Sequence, residues 1–215
     1  MPSVTRRSSG ARLRREEVES HVFETVERLL EGGESFTTLG VQRICAEAEV
    51  ARSSFYSTFA DKTDLLLRLA ESTTDDIFAV SQMYFSTDET AGPFEGLAFE
   101  GLQATQANSI RIFRAHAPLI SALAEMSAYD EAVAAYWRGR MDRTIEATAQ
   151  RIRKEQRAGR IRATLNPDRA ARFIVAGAER SMFQQATTAT AESDADAAAE
   201  LTEMVLFLLY GDVKR

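Results

Sequence analysis

From Phe36 to Leu66 the chain reads Phe-Thr-Thr-Leu-Gly-Val-Gln-Arg-Ile-Cys-Ala-Glu-Ala-Glu-Val-Ala-Arg-Ser-Ser-Phe-Tyr-Ser-Thr-Phe-Ala-Asp-Lys-Thr-Asp-Leu-Leu. Two short helical patterns joined by a tight turn, with a third beginning at once, account for this stretch. Thr37 and Thr38 are N-cap types placed to open a helix near Leu39. Val41, Ile44, Cys45 and Ala48 then recur at three- and four-residue spacing, one apolar face of a short helix. Val50 resumes the pattern after the turn, and Phe55 and Phe59 continue it four residues apart. Between them Arg52, Ser53 and Ser54 face the other way. This is the layout of a helix-turn-helix, in which one helix enters a DNA groove while its back stays in a core.

The outward residues suit that use. Short side chains at Ser53 and Ser54 let a helix backbone approach base edges, and Arg52 has the reach for a guanine edge or a phosphate. Tyr56 carries a phenol suited to a phosphate oxygen. Lys62 stands at the start of the next helix, where its charge and unpaired backbone N–H groups together favour an anion. Thr38 and Arg43 complete the candidate DNA contacts on this segment. Any one of these residues occurs on ordinary solvated helices; the joint spacing carries the reading.

The run from Ile44 to Phe59, closed by Lys62 and Leu65, resembles the tetracycline-repressor (TetR/AcrR) family of bacterial transcription regulators. Tyr56, Phe59 and Lys62 stand at the spacing of that family's signature. Two positions depart from it. Glu49 replaces the usual turn glycine, and a left-handed conformation there costs a non-glycine residue roughly 1–2 kcal/mol. Ala51 replaces the usual Ser or Thr at the cap of the second helix, a loss of typically ~1 kcal/mol.

Composition sets the surroundings. The 215 residues carry a net charge of −6 and 45% hydrophobic side chains, enough for a substantial core and against a chain that is basic throughout. The first fifteen residues differ: Arg6, Arg7, Arg12, Arg14 and Arg15 occur there with no acid among them. Residues 1–15 are expected to be a flexible basic arm following phosphates or dipping into a minor groove, with Arg6, Arg7 and Arg12 as contacts. The alternative is a solvated terminus without a role. Neither a signal peptide nor an import helix is legible, and no apolar run approaches the roughly 20 residues of a membrane span. The expectation is a soluble, cytoplasmic protein with no membrane partner. Cys45 is the sole cysteine and reads as a small core residue; His21 and His116 lack partners at metal spacing. No metal and no cofactor is expected.

The rest reads as helix after helix. Glu16 to Leu30 is amphipathic through Val18, Val22, Val26, Leu29 and Leu30, and Gly32-Gly33 ends it. Further helices are expected over 61–85, 94–115, a short one after Pro118, 130–157, one opened by Asn166-Pro167, and about 194–210 closed by Gly211. Nothing alternates with period two for long. The predicted fold is therefore all-α with about nine helices. A three-helix bundle with a helix-turn-helix (16–66) precedes a larger helical domain for ligand binding and dimerisation (67–215).

The resemblance is specific over about 16–66 and architectural beyond it; the order of elements, Tyr136-Trp137 and the closing Leu209-Tyr210-Gly211 are similar to the EthR-like branch of the family. It implies a small-molecule chamber in the second domain and a homodimer. Candidate ligand contacts are Leu102, Thr105, Asn108, Phe113, Trp137, Met141, Thr144, Val175, Ala178 and Met182, in a region where aromatic and sulphur side chains such as Phe78, Phe85, Phe99 and Phe183 gather. An asparagine pair that orients ligands in that branch is replaced here by Val175 and Ala178, which implies a small, lipophilic effector. The last two helices, through Ala170, Ala171, Ile174, Ala178, Met182, Ala195, Ala198, Leu201, Val205 and Leu208, are the expected dimer surface. A two-fold pair of reading helices then requires a pseudo-palindromic operator. The function implied is a sequence-specific DNA-binding repressor released by its ligand. A ligand-responsive activator, an all-helical enzyme and a protein-only adaptor are the alternatives. Against the enzyme, the chain shows no nucleophile elbow, no catalytic acid pair and no phosphate-cradling glycine loop, and no catalytic residue is assigned.

Overall fold

The computed structural model describes the backbone over residues 4–85 and 99–211, with side chains over 14–73 and 100–211. The described residues form nine α-helices and no strand: α1 (Val4–Glu31), α2 (Val41–Glu47), α3 (Arg52–Thr58), α4 (Lys62–Phe85), α5 (Phe99–Ala115), α6 (Ala117–Met126), α7 (Glu131–Arg157), α8 (Pro167–Thr188) and α9 (Asp194–Tyr210). The expected break over 86–93 and the side chains of Phe78, Phe85 and Phe99 lie outside the described residues.

The backbone divides into two compact units, 1–73 with 118–135, and 74–117 with 136–215. In the first, α1, α2 and α3 pack on one another. Their core is most of the apolar set read from the sequence: Val22, Val26, Leu29, Leu30, Ile44, Cys45, Ala48, Phe55 and Phe59 are buried, while Val18, Val41 and Val50 are half-buried. Gly33, at φ 86, ends α1 in a left-handed cap, its successor's N–H bonding back to Leu29 O at 3.1 Å. The second stretch of this unit, 118–135, carries most of α6 and the start of α7, a return of the chain that the sequence reading does not contain. It is tied in by Ser35 Oγ donating to Glu125 at 3.1 Å and Thr63 Oγ1 donating to Asp130 at 2.7 Å. The Thr63 bond, with backbone N–H groups of Val133 and Ala132, holds the Asp130 carboxyl below the usual carboxylate range against its desolvation.

α1 opens at Val4, well before Glu16. Where a flexible arm is expected, Arg6, Arg7 and Arg12 lie on a helix, because good helix formers outnumber the single Gly10 there and no proline falls within 4–31. α2 opens at Val41 rather than Leu39, with Gly40 as its N-cap and no side-chain cap. Thr37 and Thr38 instead belong to a tight turn, the Thr38 and Leu39 N–H groups both donating to Ser35 O.

The turn between α2 and α3 takes the form that the missing glycine foreshadows. Glu49 sits at φ 54, the only left-handed non-glycine residue among those described, and Val50 N–H bonds to Cys45 O at 3.0 Å. Removing the Cβ there removes the strain. Glu49→Gly is expected to stabilise the protein by about 1 kcal/mol and to raise Tm by about 2–4 °C. A thermal melt at or below wild type would contradict this.

In the second unit α5 packs against α8 and α9. Leu102, Ala149, Ile152, Ile161, Ala170, Ala171, Ile174, Val205, Leu206 and Leu209 form its core. α8 opens as its sequence predicts, Pro167 in the first turn and Asn166 Oδ1 accepting from Arg169 N–H at 3.0 Å. Arg114, at the end of α5, gathers the end of α8 and the start of α9. Its guanidinium donates to Asp194 at 2.6 and 2.8 Å and to the carbonyls of Gln185, Ala186 and Ala189 at 3.0, 3.2 and 2.9 Å.

Candidate nucleic-acid interface

α3 is a seven-residue helix with two unlike sides. Phe55 and Phe59 are at 0% exposure, their rings 5.1 Å apart, and Phe59 meets Phe23 of α1 at 5.9 Å. On the other side Arg52 and Ser53 are exposed, Ser54 is half-buried, and Tyr56 is 49% exposed. Tyr56 stands edge-on to Phe55 at 5.3 Å, which fixes the ring while its phenol remains outward. Ser57, absent from the sequence-based set, is also exposed on this helix, its hydroxyl donating to Ser54 O at 2.8 Å. Its place one residue after Tyr56 was the available signal. The cap position behaves as Ala51 implies, with extended backbone and no side-chain bond.

Lys62 requires a correction. Expected to meet an anion, its ammonium instead donates to three backbone carbonyls: Phe36 O at 2.8 Å, Thr37 O at 3.0 Å and Leu39 O at 3.0 Å. It also lies 4.9 Å from the Phe36 ring centroid. An ammonium has three protons, so none remains for a phosphate. Burial draws its pKa down, with Glu125 opposing. Lys62 therefore binds the α1–α2 turn to the head of α4. Thr38 donates its hydroxyl to Ser35 O at 3.1 Å. Arg43 is exposed and lies between Glu47 at 3.1 Å and Glu34 at 3.7 Å. Such surface pairs are worth about 0–1 kcal/mol and exchange easily for a phosphate. The side chains of Arg6, Arg7 and Arg12 lie outside the described residues. Cys45 is buried, and burial pushes its thiol up, with Arg52 opposing, as for an inert core residue.

In the second unit Leu102, Phe113, Thr144, Val175 and Met182 are buried, and Trp137, Met141 and Ala178 are half-buried. Leu102 belongs to the core cluster itself. The polar members are engaged locally: Thr105 donates to Gly101 O at 2.9 Å, Thr144 to Arg140 O at 3.3 Å, and Asn108 accepts from Arg111 at 2.7 Å. Part of the expected dimer surface calls for a second correction. Ala170, Ala171, Ile174, Met182, Ala198 and Val205 are buried within the chain itself, whereas Ala178, Leu201 and Leu208 are half-buried and Ala195 is exposed. The outward faces of the same two helices carry Phe173 at 72% exposure, Met204 at 66% and Phe207 at 63%. Each helix is apolar on two sides, and periodicity alone cannot say which side a subunit keeps for itself.

Residues 103–211, just over half of the chain, match the family model for the C-terminal domain of the transcriptional regulator EthR. The chain belongs to the TetR family, EthR branch. Solved structures share the fold at low identity. GusR of Salmonella enterica is 18% identical with a TM-score of 0.66, the match covering 89% of this chain and 95% of that one. PfmR of Thermus thermophilus, a TetR-family transcriptional regulator, is 15% identical with a TM-score of 0.66 over 90% and 99%. Regulatory protein TetR from Rhodobacter sphaeroides is 22% identical with a TM-score of 0.63 over 88% and 97%. No curated protein matches the sequence. As a TetR-family member the chain is a DNA-binding transcriptional regulator, and no helix among the described residues is long and apolar enough to cross a membrane.

Proposed function

We propose that this regulator is a cytoplasmic homodimeric repressor that reads a pseudo-palindromic operator through α3 and is released by a small lipophilic effector bound in the second unit. The observation that carries the reading is the two-sidedness of α3: Arg52, Ser53 and Tyr56 face outward from a helix whose Phe55 and Phe59 are wholly buried. Arg52 reads a base edge, Ser53 and Ser54 allow close approach, and Tyr56 meets a phosphate. Arg6, Arg7 and Arg12 follow phosphates from the leading turns of α1. Exposed Phe173, Met204 and Phe207 support pairing through the outer faces of α8 and α9, since a monomer leaves that apolar surface wet. The effector favours an arrangement of the dimer that fits the operator poorly, and displaces it by its differential affinity. The reading assigns no catalysis to the chain.

The deciding experiment selects bound duplexes from random DNA and then screens lipophilic compounds for release. The selected site should have two related half-sites. Arg52→Ala should weaken binding by about 1–3 kcal/mol and relax preference at one position per half-site. Tyr56→Ala should weaken binding to all sequences alike. Unchanged affinity in both variants would remove α3 from the interface.

A further inference from the structure

The α3 helix is too short to hold its own direction in water, and its N-terminal cap makes no side-chain bond. Its other end is held. Thr58 is the last residue of α3, and its carbonyl is among those that helix geometry leaves without a partner. Two guanidiniums from two different helices converge on that oxygen: Arg15 Nη2 of α1 at 2.9 Å and Arg68 Nη1 of α4 at 2.7 Å. Both charges stand at the negative end of the α3 dipole. Arg68 is itself fixed, its other nitrogen on Glu19 at 2.5 Å and its guanidinium carbon 5.0 Å from the Phe59 ring centroid. Thr58 is 2% exposed, and its hydroxyl donates to Ser54 O at 3.0 Å.

We propose that Arg15 and Arg68 are positioning residues for DNA reading, aiming α3 through their shared bond acceptor, the Thr58 carbonyl. Arg52 lies at the opposite end of the helix, roughly 9 Å from Thr58 at 1.5 Å per residue. A tilt of about 10° at Thr58 therefore carries Arg52 through about 1.5 Å, more than a base hydrogen bond tolerates. The clamp sets register without touching DNA. Arg15, from the arginine-rich stretch that reads as a phosphate-following arm, thereby takes a different role from Arg6, Arg7 and Arg12.

The inference rests on α3 as the DNA-facing helix, and the test separates the two. Arg15→Met and Arg68→Met proteins, shown folded by circular dichroism at the assay temperature, are titrated into the duplex selected by wild type and into a scrambled duplex. Titrations span about 50–200 mM salt. Arg15→Met should weaken binding to the selected duplex about tenfold, one charge-assisted bond's worth. Scrambled-duplex affinity and the slope of log K against log salt should stay at wild-type values, because no phosphate contact is removed. A slope shallower by about 0.9, with both duplexes weakened in parallel, would make Arg15 a phosphate ligand and overturn the proposal. Unchanged affinity for the selected duplex would overturn it equally. If Arg68→Met does not fold, Arg15→Met alone decides, since Arg15 is an exposed side chain. A wild-type protein that selects no duplex sinks the DNA reading first and this proposal with it.

Discussion

Arg114→Met is expected to lower stability by about 3 kcal/mol or more and Tm by roughly 6–12 °C. The guanidinium makes five hydrogen bonds to one carboxylate and three carbonyls, joining the end of α5 to the end of α8 and the first residue of α9. Methionine keeps the length and leaves all of those acceptors without their donor, with Asp194 only 21% exposed. Arg114→Lys should recover only part of the loss, because an ammonium is a point charge with three protons and cannot span this set. The acid limb carries a second signature. The Arg114 bond, ahead of Gln185, holds the Asp194 carboxyl below its usual range. A depressed folded pKa means stability that is present above the unfolded value of about 3.9 and lost as pH falls through the folded value. The gap between wild type and Arg114→Met should therefore be full near neutral pH and shrink below about pH 4. Urea melts across that range measure it; a gap independent of pH would contradict the assignment.

Lys62→Met should destabilise the first unit by about 2–3 kcal/mol. Three carbonyls of the α1–α2 turn lose their common donor, and Phe36 loses the cation beside its ring. The damage should be local first, so limited proteolysis within 34–40 should speed up before global unfolding is reached. Urea unfolding gives the magnitude. A variant as stable and as protease-resistant as wild type would return Lys62 to the solvent and to phosphate binding.

The helical order was legible because its boundaries carry their own chemistry. Asn166-Pro167 and Gly211 placed the start of α8 and the end of α9, Gly32-Gly33 ended α1, and Asp130 caps α7, accepting from Ala132 N–H at 2.9 Å. The two faces of α3 were legible as well, since phenylalanines four residues apart leave one way to orient a short helix. What stayed hidden depends on partners distant in sequence. Lys62 looks like any cation at a helix start until three carbonyls from 36–39 surround it. Leu119, Ile120 and Leu123 of α6 read as core in either unit, because apolar spacing names a face and not its neighbour. The outer faces of α8 and α9 are only partly legible for the same reason: spacing does not separate the inward Ala170, Ala171 and Ala198 from the exposed Ala195, and it leaves out the exposed Phe173 and Phe207.

The route of the backbone also limits how this protein can be taken apart. A fragment ending at Thr73 would hold α1, α2, α3 and half of α4 but forfeit 118–135, which belongs to the same compact body. Thr63 and Ser35 would lose Asp130 and Glu125, and with them the bonds that tie the returning segment to the rest of the unit. A stand-alone DNA-reading module would have to graft that returning segment back, by a short linker or as a second peptide.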